Sequence, residues 1–178
     1  MKCIAIGGVP ATGKTTLMEN IMYKLNPKKT FKFGLLRGYV VGDVYILGVY
    51  KKNDTFGGTD KLSMAVQKDY EKFIKKKIGH CIFEGDRLFT SRNLCNLLEN
   101  YDTKIIILKN DEETLRSRHE QRGDNQSKVF IKGRITKINN ISLEEDLKPY
   151  ITEYKLNTID ESVDLANKIV DFISDGIY

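Results

Sequence analysis

The chain has 178 residues, of which 40% are hydrophobic and 30% charged, enough apolar material for one full core and too little for two independent ones. No apolar run approaches the roughly 20 residues that cross a bilayer, and the opening Met-Lys-Cys-Ile-Ala-Ile-Gly-Gly reaches glycine too early for a secretory segment, so a cytoplasmic protein with no membrane partner is expected. The three cysteines form no C-x-x-C pair, which supports neither a zinc site nor a disulfide framework, and the net charge of +5 suits an anionic partner or a solvated lysine-rich surface.

Strands and helices alternate along the chain, the pattern of an α/β domain on a mainly parallel sheet. Lys2 to Ile6 is a short apolar strand that ends at Gly7-Gly8. Lys14 to Leu25, with Leu17, Ile21 and Leu25 four apart and Met18 and Met22 beside them, is an amphipathic helix stopped by Asn26-Pro27. A less regular stretch follows, in which Val44 to Tyr50 is extended and Phe56 to Asp60 turns. Asp60 is expected to cap a helix carrying Leu62, Val66, Tyr70, Phe73 and Ile74 on one face. Cys81-Ile82-Phe83 is a buried strand that runs into Glu84-Gly85-Asp86-Arg87. Leu94, Leu97 and Leu98 mark another helix, and Thr103 to Leu108 a central strand. Asn110 or Asp111 caps the helix that enters the arginine-rich run Arg116 to Gly123, and a helical pattern resumes from Val129 to Ile138. Ser142 and Glu145 have the spacing of a capping box, Tyr154 to Thr158 is the last strand, and Asp160 caps a terminal helix with Ala166, Ile169 and Ile173 inward. No repeat or linker interrupts the pattern, so residues 1–178 are expected to form a single domain.

Gly8-Val-Pro-Ala-Thr-Gly13-Lys14-Thr15 fits G-x-x-x-x-G-K-[ST] and lies between the first strand and the first helix. Glycines at these positions let consecutive N–H groups and the helix N-terminus approach phosphate oxygens. Gly8, Ala11, Thr12, Gly13, Lys14, Thr15 and Thr16 are therefore the expected ATP-binding residues, with Lys14 on the β and γ phosphates and the Thr15 hydroxyl on Mg²⁺. The strand His80 to Glu84 ends in an acid, and alternation along an extended chain puts Glu84 and Asp86 on one face. Either carboxylate can serve Mg²⁺ or take the proton of an attacking hydroxyl, and an alcohol acceptor gains more from such a base than an ionised phosphate does. Arg118, Arg122 and Arg134 are the expected stabilisers of transferred charge, on a helical lid at about residues 116–138.

Through the loop Gly8 to Thr15, the strand-end Glu84 with Arg87, and these arginines, the chain resembles the P-loop nucleoside and nucleotide kinase superfamily over nearly its whole length. That resemblance implies a three-layer fold with a five-stranded parallel sheet in the order 2-3-1-4-5, ATP and Mg²⁺ as cofactors, and a nucleoside- or nucleotide-type acceptor bound at about residues 37–78, with Arg37, Asp60 and Arg87 as substrate-binding candidates. The segments Phe56-Gly-Gly-Thr-Asp-Lys-Leu-Ser-Met64 and Phe83-Glu-Gly-Asp-Arg-Leu-Phe89 are similar to those of phage-type kinases that phosphorylate hydroxymethyluracil in DNA. Modified DNA is thus one implied acceptor and a small nucleoside or nucleoside monophosphate the alternative. A non-catalytic ATP-binding module on DNA is the second alternative. The chain lacks the Asp-Gly-Phe/Tyr-Pro-Arg segment of ordinary monophosphate kinases, and it lacks both the D-x-x-G and the N-K-x-D of a GTPase.

Overall fold

The computed structural model describes residues 1–50, 57–122 and 127–174, without the side chains of residues 119, 121, 122 and 128. Strand β1 (Lys2–Gly8) is buried from Cys3 onward, as a strand covered on both faces must be. Its alternate residues go to opposite layers: Cys3 and Ala5 join one core, Ile4 and Ile6 the other. Parallel neighbours flank it, β5 (His80–Glu84) on one side and β6 (Asp102–Lys109) on the other. Beyond these lie β4 (Val44–Leu47) and β7 (Ile151–Lys155), also parallel.

The sheet has seven strands and not the five expected, in the order β2-β3-β4-β5-β1-β6-β7, and its five parallel strands keep the expected order 2-3-1-4-5. The two extra strands, β2 (Lys29–Phe33) and β3 (Leu36–Val41), are an antiparallel extension of β4 built from the stretch that reads as irregular in sequence. Phe31 and Phe33 alternate with Lys32 and bring their rings onto Phe73, at centroid distances of 5.9 and 5.8 Å. That aromatic contact gives the hairpin a reason to extend the sheet.

Helices α1 (Lys14–Leu25) and α6 (Ile159–Ser174) cover one face, burying Leu17, Met18 and Ile21 from the first and Leu165, Ala166, Ile169 and Ile173 from the second. On the other face sit α2 (Gln67–Lys76), α3 (Ser91–Asn100) and α5 (Lys128–Leu143), the last anchored by Ile138 and Ile141. Helix α4 (Glu112–Arg122) begins at Asp111, whose Oδ1 accepts from Thr114 N at 2.8 Å. Among the described residues, no helix is long and apolar enough to cross a membrane.

Four local expectations are corrected. Asp60 caps no α-helix; it lies in a 3₁₀ turn (Thr59–Lys61), six residues before α2, and receives Arg87 N at 2.9 Å. Ser142 is inside α5 and its hydroxyl has no partner among the described residues, so the capping-box spacing is coincidental. The last strand starts three residues earlier than Tyr154, since its pairing with β6 begins at Ile151, and it ends at Lys155, before the buried Leu156. Thr158, and not Asp160, caps α6: its hydroxyl accepts from Glu161 N at 3.2 Å while Glu161 Oε2 accepts from Thr158 N at 3.1 Å.

Candidate active site

Strand β1 delivers Gly8 with φ of +145°, where an added methyl group would overlap the Leu108 carbonyl. The loop from Gly8 to Gly13 then enters α1, and Leu17 N closes onto Gly13 O at 3.0 Å. Inside the loop the Thr12 hydroxyl donates to Val9 O at 2.9 Å. The Lys14 ammonium donates to Gly8 O at 2.8 Å and Val9 O at 2.9 Å, so it lies across the loop.

The register Ile6↔Glu84 between β1 and β5 puts the strand-end acid beside this loop. Glu84 is 2% exposed, and its Oε1 has no hydrogen-bond partner among the described residues. Burial pushes its carboxyl up to about 7; Lys14 opposes the rise, while Asp60 and Asp86 reinforce it. Gly58, at φ +84°, lies so close that a methyl group on it would overlap Glu84 Oε1. An antiparallel bridge fixes that glycine, with Val49 N donating to Gly58 O and Gly58 N to Val49 O, each at 3.0 Å.

Gly85 has φ of +113°, which ends the extended chain and gives Asp86 surroundings different from those of Glu84. Asp86 Oδ2 pairs with Arg134 Nη1, and Asp86 Oδ1 with Lys137 Nζ at 3.0 Å. Arg87 turns the other way and donates from Nη2 to Asp60 O at 3.2 Å.

These elements surround a cavity of about 430 Å³, within the usual range for small-molecule sites. Of the residues singled out in the sequence, Gly8, Ala11, Gly13, Lys14 and Thr15 line one wall. Asp60, Glu84, Asp86, Arg87 and Arg134 line the other. Thr12 is buried beneath the loop. Thr16 and Arg118 belong instead to a neighbouring cavity of about 230 Å³, between Gly13 and the turn Leu156 to Thr158. Arg118 holds those two parts together, donating to Ala11 O at 3.1 Å and Leu156 O at 2.8 Å. Arg37 is not brought to the main cavity: it lies on β3 and lines a separate groove with Lys32 and Tyr39. Arg122 ends α4, and its side chain lies outside the described residues, as does the turn before Gly57.

Sequence reasoning missed Lys61 and Phe130, which both line the cavity, and the role of Lys137 on Asp86. Phe130 had a readable signal, since it precedes Arg134 by one helical turn and the guanidinium stands 4.6 Å from its ring centroid. Nothing local marked Lys61.

A family model described as an AAA domain matches residues 4–145. No curated protein matches the sequence. Among solved structures, the chain is similar to an unliganded sugar kinase from Janibacter sp. HTCC2649, with a TM-score of 0.56 at 12% identity over 99% of this chain and 98% of that one. It is also similar to a gluconokinase from Sinorhizobium meliloti 1021, with a TM-score of 0.56 at 10% identity over 99% and 95% of the two chains. An uncharacterized protein from Eubacterium ventriosum ATCC 27560 gives 0.53 at 15% identity over 96% and 99%. At such identities the likeness is one of fold, the α/β fold of P-loop kinases.

Proposed function

The chain belongs to the AAA domain family, and from that premise we propose that it is an ATP-dependent kinase that transfers the γ-phosphate to a hydroxyl of a small sugar- or nucleoside-type acceptor. One observation carries the reading: Glu84, whose buried Oε1 has no hydrogen-bond partner among the described residues and whose proton affinity is raised to about 7, lines the same cavity as the phosphate loop. A group titrating near neutrality is suited to accept a hydroxyl proton. A phosphate acceptor, already ionised, has no need of it.

In this reading the loop N–H groups hold the triphosphate, and Lys14 leaves the Gly8 and Val9 carbonyls for its oxygens. Arg134 faces the transferred phosphoryl group across the cavity. Asp60, Lys61 and Arg87, on the wall away from the loop, orient the acceptor so that its hydroxyl meets both Glu84 and the γ-phosphate. Among the described residues no group of three or more His, Cys, Asp or Glu could hold a metal by itself. This fits Mg²⁺, which takes one or two protein ligands plus phosphate oxygens and water; Thr15 would be the direct ligand, and Glu84, also a candidate from the sequence, would reach the ion only through water and keep its oxygen for the proton. When bound, the ion would neutralise phosphate charge. The domain would be single, with residues 57–78 on the acceptor side.

The kinase neighbours are described as acting on sugars or gluconate, which supports a small-molecule acceptor over modified DNA. The test is to incubate the protein with γ-labelled ATP and separate panels of sugars, sugar acids, nucleosides, nucleoside monophosphates and hydroxymethyluracil-containing DNA. Label on a small-molecule hydroxyl is expected. Label on DNA alone would replace this acceptor class, and label on none would refute the kinase assignment.

A further inference from the structure

Asp86 holds two cations at once, one on each carboxylate oxygen, and both come from α5. They sit three residues apart on that helix, which places them on one face. Their attachments differ. Lys137 donates to Asp86 Oδ1 at 3.0 Å and also to the Asp86 backbone carbonyl at 2.9 Å, an acceptor that cannot rotate away. Arg134 has the carboxylate alone and stands over Phe130, inside the cavity. All three side chains are about one-quarter to one-third exposed, so the cluster is only partly screened by solvent. Two positive charges on one negative charge leave a surplus that an incoming phosphate would take up. The guanidinium, with its planar fork of donors, is the better partner for phosphate.

We propose that Lys137 is a positioning residue: its two hydrogen bonds to Asp86, one to the carboxylate and one to the backbone carbonyl, fix α5 against the cavity wall, so that Arg134 can leave Asp86 for the transferred phosphoryl group without the helix leaving with it. The proposal rests on the kinase reading. It gives Asp86 the work of seating a helix and leaves proton transfer to Glu84.

The experiment measures binding of ADP with and without aluminium fluoride, whose ADP complex imitates the phosphoryl group in transfer, by calorimetry on the full chain. Lys137→Met should leave ADP affinity within about twofold of the wild type and cut the gain from aluminium fluoride by about tenfold or more, the size of one charge-assisted hydrogen bond. Lys137→Arg should restore most of that gain. Arg134→Met should lose the same gain, and the double variant should lose little more than either single one. Hydrogen exchange of the α5 amides in unliganded Lys137→Met should be faster than in the wild type. A Lys137→Met protein with the full gain, or losses that multiply in the double variant, would overturn the proposal. Equal weakening of ADP with and without fluoride would also overturn it, since that marks a general structural defect. A wild-type protein that gains nothing from aluminium fluoride would overturn the kinase reading and the proposal together.

Discussion

Glu84→Gln keeps the size of the side chain and removes its charge, which separates what the carboxylate does for stability from what it does for chemistry. An acid whose proton affinity rises from 4.5 to about 7 on folding binds its proton more tightly in the folded state. Its contribution is therefore most favourable below about 4.5 and is lost as pH rises toward 7. Between about pH 5 and about pH 8 the loss amounts to about 2–3 kcal/mol. A glutamine amide without a partner has a cost of its own, but that cost does not vary with pH, so it cancels in the comparison. Urea denaturation of both proteins at the two pH values should show that the wild type loses about 2–3 kcal/mol more than the variant. On its true acceptor the variant should show kcat lowered about a hundredfold to ten-thousandfold with the ATP KM little changed. Parallel stability profiles for the two proteins would refute the buried, elevated carboxylate. A normal kcat would refute its role as base.

Lys14→Ala should abolish phosphoryl transfer and leave the circular dichroism spectrum intact, because in the proposed reading the ammonium exchanges the Gly8 and Val9 carbonyls for phosphate oxygens; a folded variant with full activity would remove the central claim. Gly58→Ala should cost about 1–3 kcal/mol more than Gly42→Ala in urea denaturation. Both glycines have positive φ, but only the methyl group at Gly58 meets Glu84, while that at Gly42 meets nothing within 4 Å. Equal costs would mean that the overlap is relieved freely. Arg118→Ala should weaken ATP about tenfold by calorimetry, since two charge-assisted bonds hold the phosphate loop to the turn after β7; an unchanged affinity would show that this link does not shape the nucleotide site.

The phosphate loop was legible because its signal is local: a strand, fixed glycines and a helix, all within Lys2 to Leu25. The buried faces of α1, α2 and α6 followed from periodicity for the same reason. The hairpin β2-β3 was hidden because its alternation is short and because Phe31 and Phe33 find their partner, Phe73, some forty residues away. Asp60 and Ser142 were misread because a capping residue and a loop residue look alike until their partners are known. Asp60 turned out to hold Arg87, and Ser142 to sit within a helix. Arg37 was assigned by position in the family pattern, and its own strand carries it to another groove.

Glu84 and Asp86 were equivalent in sequence, two acids separated by one glycine, and tertiary structure divides them. Among the described residues Glu84 Oε1 has no hydrogen-bond partner, although Lys14 is near enough to oppose the rise in its proton affinity. Lys14 donates to the carbonyls of Gly8 and Val9, and Arg118 to those of Ala11 and Leu156. Arg87 is turned to Asp60, while Arg134 and Lys137 are held by Asp86. A guanidinium in contact with Glu84 would stabilise its ionised form, pull its proton affinity back down and leave a weaker base at neutral pH. In the proposed reading, Asp86 therefore holds Arg134 and Lys137 beside the cavity, where a phosphate would meet them, and leaves the proton to Glu84.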